Sequence, residues 1–348
     1  MKAVMMPEYN VLELREIPVP EYGPDEVLVR IRATGICGSD VHGLDGSTGR
    51  RIPPLVMGHE ASGTIEAVGV NVAGYLPGDH VTFDSTIYCG TCRACRNGDV
   101  NFCENRQVLG VACDEYSRQG TFAEFAALPS HILYKIPLGL SFAEAAMIEP
   151  LSVAVHAVSI TPVALADTAL VIGAGVIGLM TLQVLLHAGC SRVIVVDIDP
   201  RRLKKAEQMG AWRTVDSRHA DPEDAISRMN GSKGADVSFD AVGLADTVRS
   251  SINALRRGGT ATIIGNLTPE VGLPLQMVVS RQLRIQGSNA SSGEYPACIR
   301  MMESGQIDVK SLISRVAPLE EADRWFRELA SGGGDLWKVI LDPTGGSV

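Results

Sequence analysis

The sequence predicts a two-domain α/β protein that combines a β-rich, barrel-like domain with a doubly wound parallel sheet. With 348 residues, the chain is too long for one ordinary hydrophobic core. Up to about residue 136, short alternating strands are separated by glycine and proline, which is typical of a β-rich barrel. From residue 168 onward, apolar strands alternate with helices, which is typical of a parallel sheet covered on both faces.

Composition and charge exclude several classes of function. An apolar content of 45% and a charged content of 20% indicate a globular protein. The net charge of −9 argues against nucleic acid or an anionic membrane as the main partner. No apolar run is long enough to cross a bilayer, and the residues from Met1 to Pro7 do not form a signal peptide. We therefore expect a cytoplasmic protein.

The stretch from Cys37 to Glu60 carries a candidate metal site. Cys37, His59 and Glu60 offer sulfur, nitrogen and oxygen donors, a combination that zinc accepts. The hydroxyl of Ser39 and the imidazole of His42 lie within a few residues of the thiolate, as a path for protons would need. A buried cysteine and a satisfied core histidine would give the same local pattern, but the other motifs of the chain favour a metal.

A second candidate metal site is a cluster of four cysteines within fifteen residues, a clustering that favours metal binding over disulfides. Four thiolates at this spacing can close a tetrahedral zinc site with no open position, which would make the site structural. A redox CxxC pair and an iron–sulfur cluster are the alternatives, although nothing nearby suggests electron transfer. The predicted ligands of this structural zinc are Cys89, Cys92, Cys95 and Cys103.

Glu149 lies in an apolar setting and is followed by Pro150, at the start of a predicted helix. Burying a carboxylate without a partner is costly, so this side chain needs one. A metal ion is one candidate partner, and an arginine is another. Both alternatives stay open from the residues alone.

A dinucleotide-binding motif begins at residue 168. The apolar strand from Thr168 to Ile172 runs into a GxGxxG sequence, a helix from Leu179 to Ala188, and a second strand that ends at Asp197. The glycines allow a tight turn and close approach to a pyrophosphate, while the aspartate can accept hydrogen bonds from a ribose diol and repel a 2′-phosphate. This predicts NAD as the cofactor. The candidate cofactor-binding residues are Gly173, Gly175, Val176, Ile177, Gly178, Asp197 and Arg202, of which the arginine complicates the preference for NAD.

The fixed order of these motifs resembles the zinc-dependent medium-chain dehydrogenases over essentially the whole chain. The branch most similar is that of the sorbitol and threonine dehydrogenases, where a glutamate, here Glu149, takes the place of a second zinc cysteine. The resemblance implies a GroES-like catalytic domain, residues 1–151 and 289–348, interrupted by a Rossmann NAD-binding domain, residues 152–288. It also implies a homotetramer or homodimer.

The chain departs from this branch just after the sixth strand of the predicted parallel sheet. Sorbitol-type enzymes usually have an Arg-Tyr pair there for the substrate, and threonine-type enzymes also have an arginine. The sequence here is Gly287-Ser288-Asn289-Ala290. This departure puts the identity of the substrate in doubt, but not the metal and cofactor chemistry.

The function that the resemblance implies is hydride transfer between NAD and a secondary alcohol or polyol, with two zinc ions per chain. Ser39 would take the proton of the alcohol and pass it through the cofactor ribose to His42 and solvent, while Asp40 would orient a metal ligand. Glu60 and Glu149 would bind the catalytic zinc directly or through water. The alternatives are a threonine-like amino-alcohol dehydrogenase and a non-catalytic cofactor-binding protein of the same fold.

Overall fold

The computed structural model describes residues 1–113, 116–229, 234–332 and 334–345. The chain forms two compact units, residues 1–149 with 291–348, and residues 150–290. The domain bounds inferred from the sequence remain a prediction. Among the described residues, no helix has the length and apolar character needed to cross a membrane.

The first unit, residues 1–149 and 291–348, is rich in β-structure. The elements are numbered along the chain, and the strands of this unit are β1 (Lys2–Met6), β2 (Glu13–Glu16), β3 (Glu26–Gly35), β4 (Leu55–Val56), β5 (Glu60–Val68), β6 (His80–Phe83), β7 (Thr86–Ile87), β8 (Gln107–Val108), β9 (Val111–Cys113), β10 (Tyr116–Arg118), β11 (Phe125–Pro129), β12 (Leu133–Lys135), β19 (Ile313–Pro318) and β20 (Lys338–Asp342). The largest sheet of this unit has the strand order β12-β6-β5-β3-β20-β19, with β11 also paired to β3.

The helices of the first unit are short and lie between these strands. The α-helices are α1 (Gly38–Gly43), α2 (Arg93–Asn97), α3 (Phe142–Ala146), α10 (Tyr295–Glu303) and α11 (Ala322–Ala330). Single 3₁₀ turns occur at Val100–Phe102, Ser130–Ile132, Lys310–Leu312 and Leu319–Glu321. Helix α4 (Ile148–Ser159) begins in the first unit and continues into the second. The prediction of a GroES-like, β-rich domain is confirmed.

The register of β3 against β5 brings the residues of the candidate metal site together. Gly35, the last residue of β3, is paired with Glu60, the first residue of β5. A Cβ atom on Gly35 would lie within 2.4 Å of a carboxylate oxygen of Glu60, so a larger residue there would displace that carboxylate. Cys37 follows two residues after Gly35, and His59 precedes Glu60. Two segments that are distant in sequence therefore meet at one end of the sheet.

The second unit, residues 150–290, is a doubly wound sheet of six parallel strands in the order β15-β14-β13-β16-β17-β18. This is the order of a dinucleotide-binding fold, and the predicted Rossmann domain is confirmed. The strands are β13 (Thr168–Ile172), β14 (Arg192–Asp197), β15 (Arg213–Asp216), β16 (Ala235–Asp240), β17 (Leu255–Ile263) and β18 (Arg284–Gly287). The helices are α5 (Val176–His187), α6 (Pro200–Gln208), α7 (Pro222–Met229), α8 (Ala245–Asn253) and α9 (Leu275–Arg281).

Some element bounds differ from those that the sequence predicts. Helix α5 begins at Val176 rather than Leu179, because Gly175 occupies the N-cap position and the second half of the glycine motif forms the first turn. The sequence pattern from residue 319 to 330 predicts one helix, but residues 319–321 form a 3₁₀ turn and α11 begins at Ala322. Ser141 followed three residues later by Glu144 predicts a helix N-terminus, and the two residues form a reciprocal capping box at the start of α3.

Candidate metal centres and cofactor site

The first candidate metal centre lies where β3 leads into α1. Cys37 is the N-cap of α1, and its sulfur accepts hydrogen bonds from the backbone N–H and the hydroxyl of Ser39, at 3.5 and 3.3 Å. The side chain of Asp40 completes the capping box by accepting from the backbone N–H of Cys37 at 3.2 Å. Capping therefore fixes the direction of the Cys37 side chain.

Cys37, His59 and Glu60 form a group whose potential ligand atoms all lie within 4.8 Å of one another. Glu60 is buried, His59 is 7% exposed, and Cys37 is partly buried. A thiolate, an imidazole and a carboxylate at this separation are a donor set that suits zinc. The residues present therefore fit the metal that the sequence predicts. The structure does not bring Glu149 into this close group.

Asp40 is a fully buried carboxylate beside this group. Its Oδ1 accepts from Nη2 of Arg51 at 2.8 Å and lies 3.4 Å from Nδ1 of His59. Burial alone would raise the pKa of Asp40, but the positive charges of His59 and Arg51 outweigh burial and hold that pKa well below its ordinary value. Asp40 is therefore an anion that lies where it can orient the His59 ring.

Glu60 has a buried partner outside this group, Lys338 on β20. The Lys338 ammonium donates to the Glu60 carboxylate and to the backbone oxygen of Ile36, the latter at 3.2 Å. Burial would lower the pKa of Lys338, but the charges of Glu60 and Cys37 raise it above its ordinary value. Lys338 was not identified from the sequence. The feature that could have identified it is the presence of a lysine inside the apolar strand from Trp337 to Leu341.

Glu149 is partly buried and accepts a hydrogen bond from the hydroxyl of Ser85 at 2.8 Å. Burial raises the pKa of Glu149, the positive charge of His59 lowers it, and the charge of Glu60 raises it further. Glu149 is thus close enough to His59 and Glu60 to interact with both. Sequence reasoning missed Ser85, because no motif marks it.

Ser39 and His42 lie on α1, three residues apart, and both are exposed. Residues three apart on a helix share a face, so the hydroxyl and the imidazole lie along one side of α1. The Ser39 oxygen also accepts from Nη2 of Arg51 at 3.1 Å. Arg51 is only 4% exposed, and sequence reasoning missed it as well, because it follows Arg50 in a polar segment that has no motif.

The second candidate metal centre is the four-cysteine loop. The sulfur atoms of Cys89, Cys92, Cys95 and Cys103 all lie within 4.8 Å of one another. All seven cysteines whose side chains the structure describes are free thiols. Backbone N–H groups point at three of the sulfurs, at 3.2 Å from Cys89 to Cys103, at 3.3 Å from Cys92 to Cys89 and at 3.5 Å from Cys95 to Cys92. Hydrogen bonds from Thr91 and Cys92 lower the pKa of Cys89 to about 5, which favours the thiolate that binds zinc. Four converging sulfurs fit a closed zinc site.

The dinucleotide motif has the geometry that its glycines predict. Gly173 has a φ of +95°, and a Cβ atom on Gly178 would lie 1.7 Å from the backbone oxygen of Gly173. At the end of β14, the carboxylate of Asp197 accepts from the backbone N–H groups of Ala174 and Asp199, at 2.6 and 2.8 Å. The turn and the acidic residue are therefore held together, as binding of an adenosine ribose requires.

Two arginines follow this turn, and one of them, Arg201, is hydrogen-bonded to a carboxylate. Arg201 forms two hydrogen bonds with Asp199, at 3.1 and 2.7 Å, and these bonds lower the pKa of Asp199 to about 2. The charge of Arg202 lowers that pKa further. Arg201 is thus directed to Asp199, which leaves Asp197 as the acceptor in the turn.

Comparison with known proteins gives the family. Residues 23–138 match the family described as "Alcohol dehydrogenase GroES-like domain", and residues 176–304 match "Zinc-binding dehydrogenase". A protein named probable D-xylulose reductase A from Emericella nidulans is 36% identical over 332 residues, which cover 93% of this chain and 91% of the relative. Sorbitol dehydrogenase from Bacillus subtilis is 31% identical over 347 residues, covering 99% of this chain and 97% of the relative.

Comparison with solved structures indicates the same family as these relatives. The alcohol dehydrogenase from Thermus sp. ATN1 matches with a TM-score of 0.92 at 30% identity, covering 98% of this chain and 99% of that chain. The fold and the two metal groups define a class of metal-dependent oxidoreductases. This chain belongs to the zinc-dependent medium-chain dehydrogenases, and its relatives place it in the branch of the polyol dehydrogenases.

Replacing Cys95 with serine tests the structural role of the four-cysteine site. We expect Cys95→Ser to lose one zinc ion per chain and to melt roughly 5–10 °C lower, because the loop depends on the metal for its order. Elemental analysis and thermal melting check this. Cys298→Ala, at a buried cysteine of the same unit, is the control and should keep both ions. Unchanged melting and unchanged zinc in Cys95→Ser would contradict the assignment.

Proposed function

We propose that this protein oxidises a secondary alcohol or polyol to the ketone and transfers the hydride to NAD⁺. The observation that carries the proposal is the convergence of Cys37, His59 and Glu60 within 4.8 Å in the GroES-like unit. The relatives named sorbitol dehydrogenase and D-xylulose reductase support a polyol as the substrate class. Overall, the alcohol loses a hydride to NAD⁺ and a proton to solvent.

The catalytic zinc would be held by Cys37, His59 and Glu60, with Glu149 as a further ligand. Zinc there supplies Lewis acidity that lowers the pKa of an alcohol, and NAD⁺ on the glycine motif supplies the hydride acceptor. The protein's own residues bind and orient these groups. Glu149 is held by the Ser85 hydroxyl at 2.8 Å, so its carboxylate is already directed before any ligand arrives.

Ser39 and His42 would carry the proton. The Ser39 hydroxyl could accept a proton from an alcohol while giving its own to a further acceptor, and the ribose of a bound cofactor would supply a group of that kind. His42 is exposed on the same side of α1, so its imidazole can release a proton to water. Asp40 lies 3.4 Å from Nδ1 of His59, where it can orient the ring, and it takes no proton in this scheme.

We also propose that the protein works in the cytoplasm as a homotetramer or homodimer, with a small-molecule alcohol as its partner and no nucleic acid or membrane. Clustered free thiols that fit zinc support a reducing compartment. The net charge of −9 supports the exclusion of nucleic acid.

A panel of sugar alcohols, secondary alcohols and amino alcohols, assayed by NADH formation with the zinc-loaded protein, tests the function. We expect at least one polyol or secondary alcohol to reduce NAD⁺, and two zinc ions per chain by elemental analysis. Activity with threonine-like compounds alone would favour the amino-alcohol dehydrogenase. No activity, with one zinc ion or none, would favour a non-catalytic cofactor-binding protein.

Glu149→Ala tests the branch assignment within the same assay. We expect kcat/KM to fall by roughly 100-fold, because the metal site loses a ligand, while the zinc of the four-cysteine site stays in place. Glu144→Ala is the matched control: it removes a capping carboxylate five residues earlier and should cost about 1 kcal/mol of stability without affecting the rate. A Glu149→Ala variant with the wild-type kcat/KM would show that Glu149 is purely structural.

Asp197→Asn tests the choice of cofactor. We expect the wild type to prefer NAD over NADP, and the variant to lose roughly tenfold of that preference, since asparagine no longer repels a 2′-phosphate. The measurement is the ratio of kcat/KM with NAD to kcat/KM with NADP, in which the fraction of folded enzyme cancels. Equal kcat/KM values for the two cofactors in the wild type would contradict the role of Asp197.

A further inference from the structure

Arg51 is a buried cation that none of the roles above uses. Its Nη2 donates both to Oδ1 of Asp40 at 2.8 Å and to Oγ of Ser39 at 3.1 Å. Its aliphatic stem packs on α1, since a Cβ atom on Gly43 would lie 3.1 Å from Cγ and Cδ of Arg51. The backbone oxygen of Arg50, the preceding residue, accepts from Ala112 at 3.1 Å. The side-chain stem of Arg51 and the backbone just before it are therefore both in fixed contact with neighbouring residues.

Charge neutralisation explains only one of these two contacts. A buried carboxylate such as Asp40 needs a cation, and Arg51 supplies it. The contact with Ser39 adds nothing to that neutralisation, because a hydroxyl carries no charge. Ser39 is also exposed, so water could satisfy its oxygen. The second contact needs another explanation.

The contact with Arg51 determines how the Ser39 hydroxyl is directed. A hydroxyl has one hydrogen and two acceptor lone pairs. Arg51 occupies one lone pair, and the sulfur of Cys37 receives the hydrogen at 3.3 Å. One lone pair stays available to accept a further hydrogen bond. A group that must receive a proton from an alcohol needs this free lone pair to face one direction, because a freely rotating hydroxyl would present it only part of the time. The hydrogen of Ser39 then leaves the Cys37 sulfur when the hydroxyl passes a proton on.

We propose that Arg51 is a positioning residue, which holds the Ser39 hydroxyl and the Asp40 carboxylate in one arrangement through a single nitrogen atom. The inference rests on the proposed function, because the direction of Ser39 affects a rate only where Ser39 receives a proton. A planar guanidinium suits this task, since its N–H groups point in fixed directions. A lysine keeps the charge but has a shorter, more mobile donor, so Arg51→Lys separates positioning from neutralisation.

A double-mutant cycle with Ser39→Ala tests the positioning of the hydroxyl. In the wild-type background, we expect Arg51→Lys to lower kcat about tenfold with little change in KM, since only the proton step is affected. In the Ser39→Ala background, the same substitution should change kcat by less than about twofold, because the group through which it acts is gone. A merely structural arginine would give the same factor in both backgrounds.

The second readout does not depend on activity. Arg51 holds Asp40, and Asp40 faces His59, so Arg51→Lys should weaken zinc binding at the Cys37 site by roughly tenfold. Competition between the protein and a zinc chelator measures this affinity. The loss should be the same with and without Ser39, because this effect passes through Asp40. Thermal melting of each variant checks that the proteins are folded.

Arg118→Lys is the matched control. Arg118 also pairs with a carboxylate of the same unit, Glu26, at 3.0 Å, but does not contact Ser39 or Asp40. We expect this variant to keep the wild-type kcat and zinc affinity.

Three results would overturn the inference. They are equal kcat losses in the two backgrounds, unchanged zinc affinity in Arg51→Lys, or losses of kcat and zinc affinity in Arg118→Lys as large as those in Arg51→Lys. A Ser39→Ala enzyme with the wild-type kcat would instead overturn the proton path of the proposed function, and the inference with it.

Discussion

The buried carboxylate of Asp40 is the interaction on which the first metal centre depends. It accepts from the backbone of Cys37, from Arg51, and faces the ring of His59. An isolated buried charge would be very costly, and it is tolerated here because each neighbour offers a proton or a positive charge. One side chain thus caps the helix that carries Cys37, lies 3.4 Å from Nδ1 of His59, and pairs with the guanidinium beside the exposed hydroxyl of Ser39.

The sheet supplies the rest of the arrangement. Pairing of Gly35 with Glu60 sets the distance between the two segments that carry the ligands, and a slip of one residue would turn Glu60 to the other face. On the other side of β3, Ile340 of β20 pairs with Gly35, which places Lys338 against Glu60. The carboxylate is therefore neutralised by a strand from the far end of the chain. Burial of this ion pair ties the C-terminal segment to the metal centre.

The sequence alone predicted those features of the fold and the sites whose determining interactions are local. The glycine turn before α5, the cap at Ser141 and the spacing of the four cysteines each depend on residues close together in the chain. Lys338 and Ser85 could not be found this way, because their partners lie far away in the chain; Lys338 and Glu60 are 278 residues apart. Arg51 is only 11 residues from Asp40 and 12 from Ser39, but no sequence motif marks it. The apolar setting of Glu149 predicted only that it needs a partner, a metal ion or an arginine, and the family resemblance implied a ligand. The structure shows a hydrogen bond from Ser85, a contact across 64 residues.

The central claim is that Asp40 holds a zinc site made by Cys37, His59 and Glu60. Zinc affinity of the wild type and of Asp40→Asn, measured by chelator competition, tests it most directly. The substitution keeps the shape of the side chain and removes its charge. We expect the site of Cys37 to bind zinc roughly 10–100-fold more weakly in the variant, while the four-cysteine site is unchanged. Equal affinity at the Cys37 site in the two proteins would contradict it.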